Sequence, residues 1–165
     1  MILTSDHGDE MGDHWLLQKL GYFEASYHVP LIVAGPFVDA PRVGAVVDEF
    51  TEHVDLMPTI LDGVGVDVPR QCAGRSLRPF LAGSFGEAGT PTDWRDAAHW
   101  EWDFRDARGA AALGLDLASC NLAVLRDRTR KYVHFAGLPA AFYDLEIDPG
   151  ELHNLAKDPG RIDEI

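Results

Sequence analysis

The sequence predicts an α/β fold that passes into a small antiparallel β region. Three observations predict it. An acidic, glycine-containing loop follows an apolar stretch, Met1-Ile2-Leu3, almost at once. A continuous apolar run, Pro30-Leu31-Ile32-Val33-Ala34-Gly35-Pro36, is bounded by breakers and followed by a helical stripe. Beyond residue 93 the pattern changes to short segments separated by turn residues.

Taken in order, Ile2 to Ser5 reads as the end of a buried strand, and Asp6 to Gly12 as the loop at its carboxyl end. In open α/β sheets that edge is where ligands bind. His14 to Tyr22 is a loop or short helix, and Glu24 to His28 a helical turn. That turn stops before Pro30, because the residue preceding a proline disfavours the α region. Residues 30–36 suit a strand buried on both faces. Val46 to Asp48 is a second short strand candidate. Val54, Leu56, Met57, Ile60 and Leu61 form a helical stripe, with Pro58 near the first turn, where its missing N–H is tolerated. Thr51 or Glu52 opens that helix and Gly63 closes it.

Residues 64–89 are rich in Gly, Pro and Arg and hold one short helix over Ser76 to Leu81, and Gly83 to Asp93 reads as a linker. Residues 1–89 are therefore expected as the α/β core and 90–165 as an α+β subdomain. Within the second part, residues 97–102, 120–126, 131–135 and 142–145 read as antiparallel strands. Residues 121–126 and 131–135 make the best hairpin. Asp148-Pro149-Gly150-Glu151 is a turn, and the last residues begin a helix.

Composition narrows the function. The 165 residues are 46% hydrophobic and carry a formal net charge of -13. Such acidity argues against nucleic acid, whose phosphates need a basic face. A small anionic substrate would need local help from a metal or a dedicated cation. No apolar run approaches the roughly 20 residues of a membrane span, and no secretory leader is visible. A cytoplasmic location with Cys72 and Cys120 reduced follows as the expectation. A site at the very start of the chain suggests a piece of a larger protein, completed by a missing front portion or by self-association.

The chemistry concentrates between Asp6 and His14. Four carboxylates (Asp6, Asp9, Glu10, Asp13) and two imidazoles (His7, His14) fall there. Adjacent Asp6 and His7 after a strand suit the first ligands of a divalent cation. The plainer reading makes Asp6 a helix N-cap and leaves Asp9, Glu10 and Asp13 as solvated surface. His14 reads equally as a ligand or as a hydrogen-bond partner of one. Lys19 stands alone among apolar neighbours, either as an anion contact or as a snorkelling surface lysine. His28, His53, His99 and His134 read as structural or surface histidines.

Thr4-Ser5-Asp6-His7-Gly8, Gly12-Asp13-His14, Leu17-Gln18-Lys19-Leu20-Gly21-Tyr22 and Val29-Pro30-Leu31-Ile32-Val33 together resemble the second half of the sulfatase family, within the alkaline phosphatase superfamily. Glu52 to Asp62, Gly74-Arg75-Ser76-Leu77, Phe142-Tyr143-Asp144-Leu145 and Asp148 to Leu155 extend the resemblance in the same order. His7, where many sulfatases carry asparagine, is similar to the phosphonate monoester hydrolase and phosphodiesterase branch. The resemblance implies the C-terminal part of an alkaline-phosphatase-like α/β/α sandwich, followed by a small antiparallel β subdomain with a C-terminal helix. It implies a hydrolase of sulfate, phosphate or phosphonate esters. Asp6 and His7 become ligands of one divalent metal ion (Mn, Ca, Mg or Zn), Lys19 a contact to substrate oxyanions, and His14 a supporting residue. The family's nucleophile is a formylglycine made in a Cys-x-Pro-x-Arg context, which this sequence lacks, so the chain by itself is expected to be incomplete and inactive. Two other readings stand beside this one, a non-catalytic binding or assembly module and a small self-contained metal-binding protein.

Overall fold

A computed structural model describes residues 1–83, 93–105 and 111–164. The chain divides into two compact units. Met1–Thr4 and Pro30–Asp96 form one, and Ser5–Val29 with Ala97–Ile165 form the other. Most of the linker expected over 83–93 lies outside the described residues.

In the first unit, β1 (Ile2–Thr4) pairs antiparallel with β2 (Leu31–Val33), setting Ile2 opposite Val33 and Leu3 opposite Ile32. Side chains alternate along both strands, so Leu3 and Ile32 project to one face and remain about half exposed. This corrects the expectation of a strand buried on both faces. The run is apolar throughout, but within its unit only one face of β2 is covered. No strand forms at Val46 to Asp48, which have no regular structure beyond a turn at 43–44, and Val46 is exposed. The helical stripe is realised as a 3-10 turn, His53–Asp55, running into α2 (Leu56–Gly63).

The start of α2 is fixed by Asp55, which is fully buried. Its carboxylate accepts the Glu52 N–H at 2.8 Å, one half of a capping box, and the Arg75 N–H at 2.8 Å. Arg95 closes a bidentate pair on the same carboxylate. One turn on, Thr59 Oγ1 donates to Asp55 C=O at 2.6 Å and accepts the Leu77 N–H at 2.8 Å. That bond ties α2 to the approach of α3 (Arg78–Leu81), which has Pro79 in its first turn. Buried Arg42 donates from Nε to the Phe80 carbonyl at 2.7 Å.

The second unit is built on a four-stranded antiparallel sheet in the order β3 (Ala98–Asp103), β4 (Asn121–Arg126), β5 (Arg130–Phe135), β6 (Ala141–Asp144). The expected hairpin is β4–β5, with Val124 opposite Val133. Period-two alternation sends Leu122, Val124 and Val133 into the core with Phe104, Cys120, Ala141 and Tyr143. Tyr22 and Phe23, from the segment before β2, pack on this core, and the Tyr22 and Tyr143 hydroxyls meet at 2.9 Å. Burial pushes both phenols up, Tyr143 the further. Both cysteines are free. The expected terminal helix is a 3-10 segment, Pro159–Glu164, held by Arg161 on Asp144 at 2.9 Å. Among the described residues, no helix is long and apolar enough to cross a membrane.

Candidate active site

Asp6, His7, His14 and Lys19 all belong to the segment 5–29 of the second unit. Hydrogen bonds shape this segment into a closed loop against α1 (Glu24–Tyr27). The Gly8 N–H donates to the Ser26 carbonyl at 2.8 Å. Glycine is required there, because a Cβ at Gly8 would stand 1.9 Å from the Ala25 carbonyl oxygen. The Glu10 N–H donates to the Gln18 carbonyl at 2.9 Å. The Asp9 carboxylate accepts the N–H groups of Met11 at 2.8 Å and Gln18 at 3.0 Å. The two arms of the loop therefore meet at Glu10 and Gln18. Between them Met11, His14 and Trp15 take positive φ, as does Gln18 itself. Non-glycine residues held in that region cost of order 1–3 kcal/mol each, and such strain clusters at functional sites.

The Asp6–His7 pair has the features of a partial metal site. His7 Nδ1 lies 2.6 Å from the Gly8 carbonyl, which can only accept, so Nδ1 carries the proton and Nε2 offers a lone pair. A backbone carbonyl holding one ring nitrogen is the usual support of a metal-bound histidine. His7 Nε2 lies 3.6 Å from Asp6 Oδ2, within reach of one cation bound to both at about 2.1 Å. Asp6 is 84% exposed and His7 32%. His7, when charged, holds the Asp6 carboxyl below the usual carboxylate range, and Lys19 acts in the same direction. No group of three or more His, Cys, Asp or Glu side chains able to hold a metal gathers among the described residues. Asp9, Asp13 and His14 therefore do not complete the pair, and the five residues do not form a self-contained metal site.

Lys19 is exposed, one residue beyond the Gln18 junction. His14 is not joined to Asp6, His7 or Lys19 by a hydrogen bond or ion pair among the described residues. Its ring stacks on Phe23 at 3.6 Å between centroids and 6° between planes, and it lines an open recess of about 300 Å³ with Glu24 and Glu151. Glu10 overturns its reading as solvated surface. Its side chain is 1% exposed, and Ser26 Oγ donates to Glu10 Oε1 at 2.6 Å. The sequence signal for this was available but weak: Glu10 sits between two glycines in a loop that must turn back on itself.

Residues 12–164 match the family described as N-sulphoglucosamine sulphohydrolase, C-terminal. The chain belongs to this sulfatase family. The sulfatase-family chain is 45% identical over 162 residues to the multifunctional alkaline phosphatase superfamily protein PehA of Trinickia caryophylli, covering 96% of this chain and 30% of PehA. It is 30% identical to Arylsulfatase K of Xenopus laevis over 169 residues, covering all of this chain and 29% of that protein. Among solved structures, phosphonate monoester hydrolase of Agrobacterium radiobacter superposes with a TM-score of 0.87 at 48% identity, covering 99% of this chain and 32% of that one. The sulfatase-family chain thus spans about 30% of the length of these relatives. It corresponds to a C-terminal portion of the sulfatase fold, and the α/β class with its antiparallel subdomain holds.

Proposed function

We propose that this chain supplies the metal-binding pair and an oxyanion contact to a metal-dependent hydrolase of small anionic sulfate, phosphate or phosphonate esters. The nucleophile would come from polypeptide outside this sequence, so the chain alone would be inactive. The observation that carries the reading is the fixed tautomer of His7, whose Nε2 faces the Asp6 carboxylate at 3.6 Å. Asp6 and His7 would hold one divalent ion together with ligands from elsewhere, and that ion when bound would draw charge from the substrate oxygens. Lys19 would bind a non-bridging oxygen and stabilise the charge that grows on it in the transition state. His14, stacked on Phe23, would support the loop rather than touch the metal. The net charge of -13 suits a small substrate gripped by these local cations, and no nucleic acid or membrane partner is proposed.

The test uses the chain within its complete reading frame, assayed on aryl sulfate, phosphate diester and phosphonate monoester substrates. Asp6→Ala and His7→Ala should lose both bound metal and turnover. Lys19→Ala should keep the metal and lose about 10²–10³ in kcat, the usual loss for one oxyanion donor. Full turnover by a metal-free Asp6→Ala protein would end the proposal.

A further inference from the structure

We infer that Glu10 and Ser26 form a positioning pair that sets the spacing between the Asp6–His7 pair and Lys19. The inference rests on the metal and oxyanion roles proposed above. Ser26 is fully buried and Glu10 is 1% exposed, so neither reaches substrate. Ser26 grips both arms of the loop. Its carbonyl accepts the Gly8 N–H at 2.8 Å on the arm that carries His7. Its hydroxyl donates to Glu10 Oε1 at 2.6 Å and lies 3.4 Å from the Gln18 carbonyl, next to Lys19.

The pair does more than fill space. Among the described residues Glu10 Oε2 has no hydrogen-bond partner, so burial of this carboxylate is compensated at one oxygen, by Ser26. A buried acid of that kind is costly to keep. The pair reinforces the meeting of the arms at Glu10 and Gln18, which the Glu10–Gln18 backbone bond and the Asp9 carboxylate also close, with left-handed residues strung between them. Without the Ser26 bond the buried Glu10 carboxylate loses its partner, and the arm beside Lys19 is freer to shift against the arm that carries His7. A cation and a lysine that grip the same ester group must keep a fixed distance. Ser26 and Glu10 hold that distance from beneath.

The experiment reads the distance directly, with Mn²⁺ as a paramagnetic probe and nuclear magnetic resonance of the complete polypeptide. In the parent protein, Mn²⁺ should broaden the side-chain signals of Asp6, His7 and Lys19 in one titration. Ser26→Ala should keep the broadening at Asp6 and His7 and lower it at Lys19. Glu10→Ala should do the same from the other partner, whereas Glu10→Gln, which keeps an acceptor for the Ser26 hydroxyl, should restore the parent pattern. Amide protection in β4 and β5 reports that each variant is folded. Unchanged Lys19 broadening in folded Ser26→Ala and Glu10→Ala variants would overturn the positioning role. Absence of any broadening at Asp6 and His7 in the parent would instead remove the metal reading, and this inference with it.

Discussion

Lys131 of β5 and Glu151 of the turn after β6 form an ion pair with both side chains shut away from solvent. The same ammonium lies 3.5 Å from Glu24 Oε1 and 5.3 Å from the centre of the Trp100 ring. Glu151 in turn accepts the Glu24 N–H at 2.8 Å, at the first residue of α1. One buried cation therefore joins the sheet, the turn and the helix on which the candidate active-site loop rests. Glu151 holds a φ of 54° to make this contact.

Removal of that cation should be severe. Lys131→Met leaves Glu151 buried without its partner, a loss of about 3–5 kcal/mol. The double change Lys131→Met with Glu151→Gln removes both charges and keeps the acceptor for Glu24, so it should recover part of the loss. Urea unfolding of the three proteins checks the order. A single variant as stable as the parent would mean that the pair contributes nothing.

Gly8 makes a second, sharper prediction. A methyl group there collides with the Ala25 carbonyl, which is backbone and cannot swing aside. Gly8→Ala should destabilise by about 1–3 kcal/mol, as overpacking does. It should also weaken divalent-ion binding, because His7 is displaced with the loop. Calorimetric titration with Mn²⁺ and thermal unfolding measure the two effects, and a stable variant with parent affinity would contradict the close approach.

In the first unit Asp55 is the counterpart of Lys131. Asp55→Ala removes the acceptor for the amides of Glu52 and Arg75 and for the guanidinium of Arg95, whose side chain is 15% exposed. Breaking a buried pair in this way costs about 3–5 kcal/mol, and loss of the cap adds about 1 kcal/mol. Loss of helical circular dichroism at a lower temperature than in the parent would be the signature.

The tyrosine pair sets an alkaline limit. Burial raises Tyr22 and Tyr143 above the ordinary phenol value of about 10. A group whose folded pKa is raised lends stability that is complete below the unfolded value. That stability is lost as pH rises through the folded one. Tyr143 should therefore ionise only as the sheet of the second unit unfolds, above about pH 10. Tyrosinate absorbance followed together with circular dichroism tests this. Ionisation of Tyr143 with the sheet intact would refute it.

The antiparallel hairpin β4–β5, the helix at residues 56–63 and the Asp6–His7 motif were legible in the chain because each is a local pattern. Short segments separated by turn residues, an apolar stripe at helical spacing and two adjacent side chains all lie within a short window. The same locality explains the misreadings. Val46-Val47 has the β-branched residues of a strand but gains no partner strand to complete one. The run at residues 30–36 is apolar on both faces, yet the face that carries Ile32 stays about half exposed.

By itself, the amino-acid order determined the sulfatase membership, the α/β class and which residues are candidates for metal and oxyanion binding. Tertiary structure alone decided that Glu10 is buried, that Gly8 touches α1 and that Lys131 is the hub of a closed charge cluster. The reason is distance along the chain: Glu10 meets Ser26 across 16 residues, Lys131 meets Glu24 across 107 and Glu24 meets Glu151 across 127. A charged side chain reads as solvated until the fold brings its partner and excludes water, and no local pattern encodes that event.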